Sequence, residues 1–191
     1  MILFLSWQEA DTRFSRDLSV FFPTEDQSKK ERVIYHLSSE DSENKLSQRQ
    51  RKDLARAIIR SADRLELPDG TMLGGKKPDI DLFLYLWAKN RTHFSSKGTS
   101  ENSIGILGLS VKKIESIEKK TSAVIDRNYD VYNFNIQYKM ALILYKEFLS
   151  TGMSAKEAYL ALFELPTNSN EWEQLEANYI ELHRKVIPEN I

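Results

Sequence analysis

The sequence predicts a mainly α protein, a multi-helix globular bundle of about seven helices with room for a short N-terminal strand or hairpin. Three observations predict it. Apolar residues recur at steps of three and four along most of the chain. Several of these runs open on a serine followed three residues later by glutamate or glutamine, the reciprocal cap that satisfies the orphan amides of a first helical turn. Proline and glycine stand where the runs end.

Taken in order, MILFL is a short strand or packed arm, and Ser6-Trp7-Gln8-Glu9 opens a helix. Trp7, Ala10, Phe14, Leu18 and Phe21 carry its apolar face until Pro23. PTEDQSKKER reads as polar, VIYHL as a brief strand and SSEDSENK as a solvated loop. Ser47-Gln48-Arg49-Gln50 caps an amphipathic helix running to about Leu67. PDGTMLGGKKPD is turn sequence, and Ile80 to about Arg91 is a helix apolar on all sides, which marks it as buried. THFSSKGTSENS is the expected boundary between an N-terminal half, 1–95, and a C-terminal half, 96–191. A mostly apolar helix over roughly Tyr132 to Leu149 should centre the second half and end at Gly152. Ser154-Ala155-Lys156-Glu157 caps the next, which runs into Pro166. The last helix starts near Asn170, with Glu171, Glu173 and Glu176 early and His183, Arg184 and Lys185 late, the order its dipole favours.

Bulk properties narrow the function classes. With 27 basic and 28 acidic side chains in 191 residues, the chain has no global field for polyanions, so any nucleic-acid site must be a local patch. The absence of cysteine removes disulfides, thiolate nucleophiles and cysteine-ligated metal centres. His36, His93 and His183 are far apart in sequence and match no metal-ligand spacing, so neither metal nor cofactor is expected. Lys76-Lys77-Pro78-Asp79-Ile80-Asp81 holds two carboxylates, but Asp79 reads better as a helix N-cap than as a magnesium ligand. No nucleophile elbow, phosphate loop or dinucleotide glycine pattern occurs, and an enzyme is the less favoured class. The apolar amino terminus lacks a basic flank and a cleavage site, and no run approaches the roughly 20 residues of a bilayer span, so a cytoplasmic protein without a membrane partner is expected.

Two segments suggest DNA. SIGILGLSVKKIESIEKK has the pattern of a helix-turn-helix: Gly108 between Leu107 and Leu109 for the turn, Ser110 as cap, Ile114 and Ile117 for the inner face. Ser110, Lys112, Lys113, Ser116, Lys119 and Lys120 would then meet phosphates and base edges, although Gly105 sits in the first helix and Glu115 and Glu118 in the second. The same residues fit a plain structural turn. On the helix after Ser47, the basic residues Lys52, Arg56, Arg60 and Arg64 recur every four, with Arg49 alongside, and form a stripe opposite Leu54, Ile58, Ala62 and Leu65. Guanidinium groups in such a row can track a phosphate backbone, or the row can be a solvated face.

The last helix places Trp172, Leu175, Tyr179, Leu182 and Val186 at alternating steps of three and four, the seam spacing of paired helices. The seam serves either the chain's own core or a partner interface, a second copy making a homodimer or another protein docking there. Finally, ILFLSWQEADTRF resembles the first strand and following loop of TIR domains. That resemblance implies alternating strands and helices and a glutamate after a serine and tryptophan-cysteine segment for NAD cleavage. It covers about the first twenty residues, and the remaining sequence carries no such segment and turns helical. Together these features favour a non-enzymatic DNA-associated or regulatory protein, the alternative being a helical protein-interaction or assembly module without nucleic-acid binding.

Overall fold

The computed structural model describes residues 24–42, 45–95 and 102–186. The N-terminal strand, the helix after Ser6 and the TIR-like stretch lie outside the described residues. Within them the fold is mainly α, with seven α-helices and one two-stranded sheet. The helices are α1 (Glu25–Asp41), α2 (Gln48–Ala62), α3 (Ile80–Thr92), α4 (Val111–Thr121), α5 (Phe134–Ser150), α6 (Ala155–Leu162) and α7 (Glu171–Val186). The strands β1 (Ser103–Ile104) and β2 (Leu109–Ser110) lie between α3 and α4 and pair antiparallel.

Local sequence explains the helix starts. Ser47 and Ser154 accept from the amides of Gln50 and Glu157, and those side chains reach back to the cap amides, as the spacing predicts. The largest departure is α1, where a strand and flanking loops were expected. Thr24 and Gln27 form the same reciprocal cap with threonine in place of serine, and it commits the following residues to helix. Ile34 and Leu37 then fall on one face with Ser38 and Ser42, both fully buried, against the neighbouring helices. The β-branched and aromatic residues of VIYHL favour a strand locally, but helical period and tertiary burial outweigh that preference. A second correction concerns α2, which ends at Ala62 rather than near Leu67. Leu65 continues into the core without helix, being 4 % exposed, and Pro68 blocks further propagation.

Helix α3 is the central element. Leu82, Phe83, Leu84, Tyr85, Leu86, Trp87 and Ala88 are all buried, so it has no solvent stripe in its middle. Its aromatics form an edge-to-face cluster: Trp87 meets Phe83, Tyr145 of α5 and Phe163 at centroid distances of 5.4, 5.1 and 5.7 Å. Buried hydroxyls find partners across the core, Tyr138 donating to the Leu84 carbonyl at 3.0 Å and Tyr145 to the Ala155 carbonyl at 3.1 Å. Burial pushes the Tyr138 and Tyr145 hydroxyls above the ordinary tyrosine range, so they stay neutral donors.

The α7 seam is occupied by the chain's own core. Trp172, Leu175, Tyr179 and Leu182 are buried, Val186 is packed at the edge, and the face lies against α3. The Tyr179 hydroxyl accepts the Asp79 amide at 2.8 Å, fixing α7 to the start of α3. Of the two roles the spacing allows, these residues take the core one within the chain. Asp79 is the N-cap residue of α3 as expected, but its side chain caps no amide.

Candidate nucleic-acid interface

The helix-turn-helix pattern does not fold as one. Residues 103–110 form a hairpin, so no helix precedes the turn, and Gly108 lies in the hairpin connection. Gly105 is the reason. Its φ is +78°, which side-chain-bearing residues rarely adopt, and a Cβ there would stand 2.0 Å from the Gln137 amide nitrogen. Gln137, itself buried, accepts the Leu107 amide at 3.0 Å and donates to the Val131 carbonyl, tying the hairpin to α5. A glycine that interrupts the expected helical period was the visible sign; the buried glutamine partner comes from thirty residues away and was not.

The expected reading helix, α4, is capped as predicted, with Ser110 accepting the Lys113 amide at 3.3 Å, and it buries Ile114 and Ile117. Its cations are largely engaged within the molecule. Lys113 is half-buried with Nζ 4.7 Å from the centre of the Phe148 ring, and burial lowers its pKa from the ordinary lysine value. Lys120 pairs with Glu147 of α5. Ser116 is half-buried, leaving Lys112 and Lys119 exposed beside the exposed carboxylate of Glu115. Glu118 holds Arg127 at 2.6 Å and accepts the Ile125 amide at 3.0 Å; the Arg127 contact first, then the amide, keep its carboxyl below the usual range. This helix is a strut between the hairpin and α5.

The arginine stripe is divided by the neighbours of α2. Toward its start, Arg49 lies 4.0 Å from Asp53 and Arg56 lies 3.8 Å from Glu31 of α1. Lys52 and Arg56 border a groove of about 660 Å³ between α1 and α2 that also contains Glu31. Arg60 in its last turn and Arg64, which lies beyond the helix end at Ala62 and so off the expected helical stripe, meet Lys139 and Lys146 of α5 around a second groove of about 490 Å³. Ile136, Leu142 and Ile143 form its apolar floor, Ser61 and Asn135 add neutral polar groups, and no carboxylate is among its described lining residues. Lys146 Nζ donates to the Arg64 carbonyl at 3.0 Å, anchoring one ammonium at the wall. Of the acids adjacent to these cations in sequence, Asp63 accepts from Gln27 of α1 at 2.8 Å and Glu147 meets Lys120. Partial desolvation, and secondly the charge of Arg64, lower the pKa of Lys139. Four cations from two segments distant in sequence thus border one groove.

Lys139 and Lys146 were invisible to the stripe argument because they sit on α5, about eighty residues downstream. Their spacing of seven on a mostly apolar helix puts both on one face, which is the one signal that could have found them. Among the described residues no three histidine, aspartate or glutamate side chains gather as metal ligands, and no helix is long and apolar enough to cross a membrane. The chain matches no family model, and no curated protein or solved structure resembles it at a significant level.

Proposed function

We propose that the chain is a non-enzymatic, DNA-associated regulatory protein of the cytoplasm that holds the phosphate backbone in the groove between α2 and α5. One observation supports this reading: Arg60 and Arg64 on one side and Lys139 and Lys146 on the other converge on a single groove, in a chain whose net charge is -1. Arginine forks donate two parallel hydrogen bonds to phosphate oxygens, while the lysines add point charges. Backbone contact of this kind positions nucleic acid without reading its sequence, since base edges are not involved. Lys112 and Lys119 of α4 are then accessory charges, and Arg49, Lys52 and Arg56 extend the path along α2 where acids already moderate them.

The test is anisotropy of a labelled oligonucleotide across salt. Affinity should fall by orders of magnitude between about 50 and 200 mM salt, because each neutralised phosphate releases condensed counterion. The double variant Arg60→Ala with Arg64→Ala should reduce the slope of log affinity against log salt by about two units. Absence of binding to any nucleic acid at low salt would sink the proposal and leave the protein-interaction module as the better reading.

A further inference from the structure

We infer that the groove between α1 and α2 binds a small phosphorylated ligand, holding the dianion of its phosphate monoester between Arg32 and His36 of α1 and Lys52 and Arg56 of α2. All four residues line this groove of about 660 Å³, and none of them lines the groove between α2 and α5. The site therefore stands independently of the α2–α5 groove.

Its walls are fixed by contacts between the two helices. Gln27 donates to Asp63 at 2.8 Å, Arg56 lies 3.8 Å from Glu31, and Arg51 donates to Ser39 at 2.9 Å, so α1 and α2 run antiparallel. His36 and Lys52 fall between the last two of these contacts. Arg32 and His36 are four residues apart on α1, and Lys52 and Arg56 four apart on α2, so each pair occupies one face of its helix.

The charges of the groove differ from those around it. Lys29 and Lys30 each have an acid four residues earlier, Glu25 at 2.8 Å and Asp26 at 3.3 Å. Arg32 has Ser28 at that position, and its Nε donates to the Ser28 carbonyl at 3.3 Å, a bond that does not engage the paired terminal nitrogens. On α2, Lys52 and Arg56 stand at the like-charge spacing that disfavours a helix, and Asp53 lies 4.0 Å from Arg49. Glu31 is the one carboxylate among the described lining residues, and at 3.8 Å from the Arg56 Nε it is beyond hydrogen-bonding distance. Three permanent cations against one carboxylate leave the groove a net charge of +2 with His36 neutral.

A phosphate monoester carries about −1.5 to −2 charges near neutral pH, whereas a diester carries a single one, so the groove matches the monoester. Guanidinium groups present paired donors to its oxygens, Lys52 adds a point charge, and His36 donates from a ring nitrogen in either protonation state. The volume exceeds what a phosphate alone fills and falls in the range of small-molecule sites. The organic part of the ligand occupies the remainder, beside Ser28 and the half-buried Tyr35.

The experiment is titration calorimetry on the full chain at low salt with ribose 5-phosphate, inorganic phosphate and dimethyl phosphate. The first two separate a phosphorylated organic molecule from free phosphate, and the third presents a diester. Ribose 5-phosphate should bind at least about tenfold tighter than dimethyl phosphate and at least about threefold tighter than inorganic phosphate. Arg32→Ala with Lys52→Ala should weaken its binding at least about tenfold, and melting curves check that the variant folds. Glu31→Gln should tighten it about threefold, a gain that damage to the helix pair does not produce. Absence of ribose 5-phosphate binding, equal affinity for the diester, or unchanged affinity in the alanine variant would overturn the site. Inorganic phosphate binding as tightly as ribose 5-phosphate would overturn the organic ligand in favour of free phosphate.

Discussion

Helices α2 and α4 each carry a dense set of cations, and the fold treats them in opposite ways. On α4, Lys113 is laid over Phe148, Lys120 meets Glu147, and the exposed Lys112 and Lys119 flank Glu115. At the end of α2 and just past it, Arg60 and Arg64 meet further cations, Lys139 and Lys146, across a groove. The same helix α5 supplies both outcomes: Glu147 and Phe148 face α4, while Lys139 and Lys146 border the groove with α2. A basic helix is thus a structural strut or a potential anion site according to what its neighbour places opposite, and counting lysines and arginines along one helix does not distinguish the two.

The largest expected effect tests the frame that both regions share. Leu175 is fully buried on the inner face of α7, so Leu175→Asp places an unpaired charge in the core and should destabilise the monomer by more than about 4 kcal/mol. Light scattering should find an unfolded or aggregated chain; a folded monomer obtained from a native dimer would return the α7 seam to an interface role.

Charge reversal comes next. Lys139→Glu with Lys146→Glu puts acids into the α2–α5 groove and should reduce oligonucleotide affinity by about a hundredfold at low salt, whereas Lys112→Glu with Lys119→Glu should cost about fivefold or less. Equal losses from the two pairs would mean that binding senses only total charge, and the contrast between the helices would vanish.

A pH titration sharpens the same contrast on one residue. Lys139 has a folded-state pKa below the ordinary 10.5, through partial desolvation first and Arg64 second, so the fold disfavours its charge. A bound phosphate favours that charge. Affinity should therefore be full at neutral pH and weaken as pH rises through the lowered value, before an ordinary lysine titrates. Lys139→Arg, which remains charged, should remove the alkaline decline; an unchanged profile would assign the titration elsewhere.

The smallest effect belongs to the strut. Lys113→Ala removes the ammonium from the Phe148 ring and should lower stability by about 1 kcal/mol while leaving oligonucleotide affinity within about twofold. A large affinity loss without a stability change would restore α4 as a contact surface.

The sequence by itself determined the helices that announce themselves locally. The caps at Ser47 and Ser154, the all-round apolar character of α3 and the charge order of α7 depend on neighbours within one or two turns, and all are present in the structure. It also held the cap of α1 in Thr24 and Gln27, although the strand-like VIYHL concealed it. Tertiary structure alone decided the rest, because each case depends on a partner distant in sequence. Gln137 reaches back to the hairpin and, with the positive φ of Gly105, excludes the first helix of a helix-turn-helix. Helix α3 covers the α7 seam that could equally have faced another chain. Lys139 and Lys146 convert two arginines of a solvated-looking stripe into one side of a positive groove, because electrostatic potential sums over space and not along the chain.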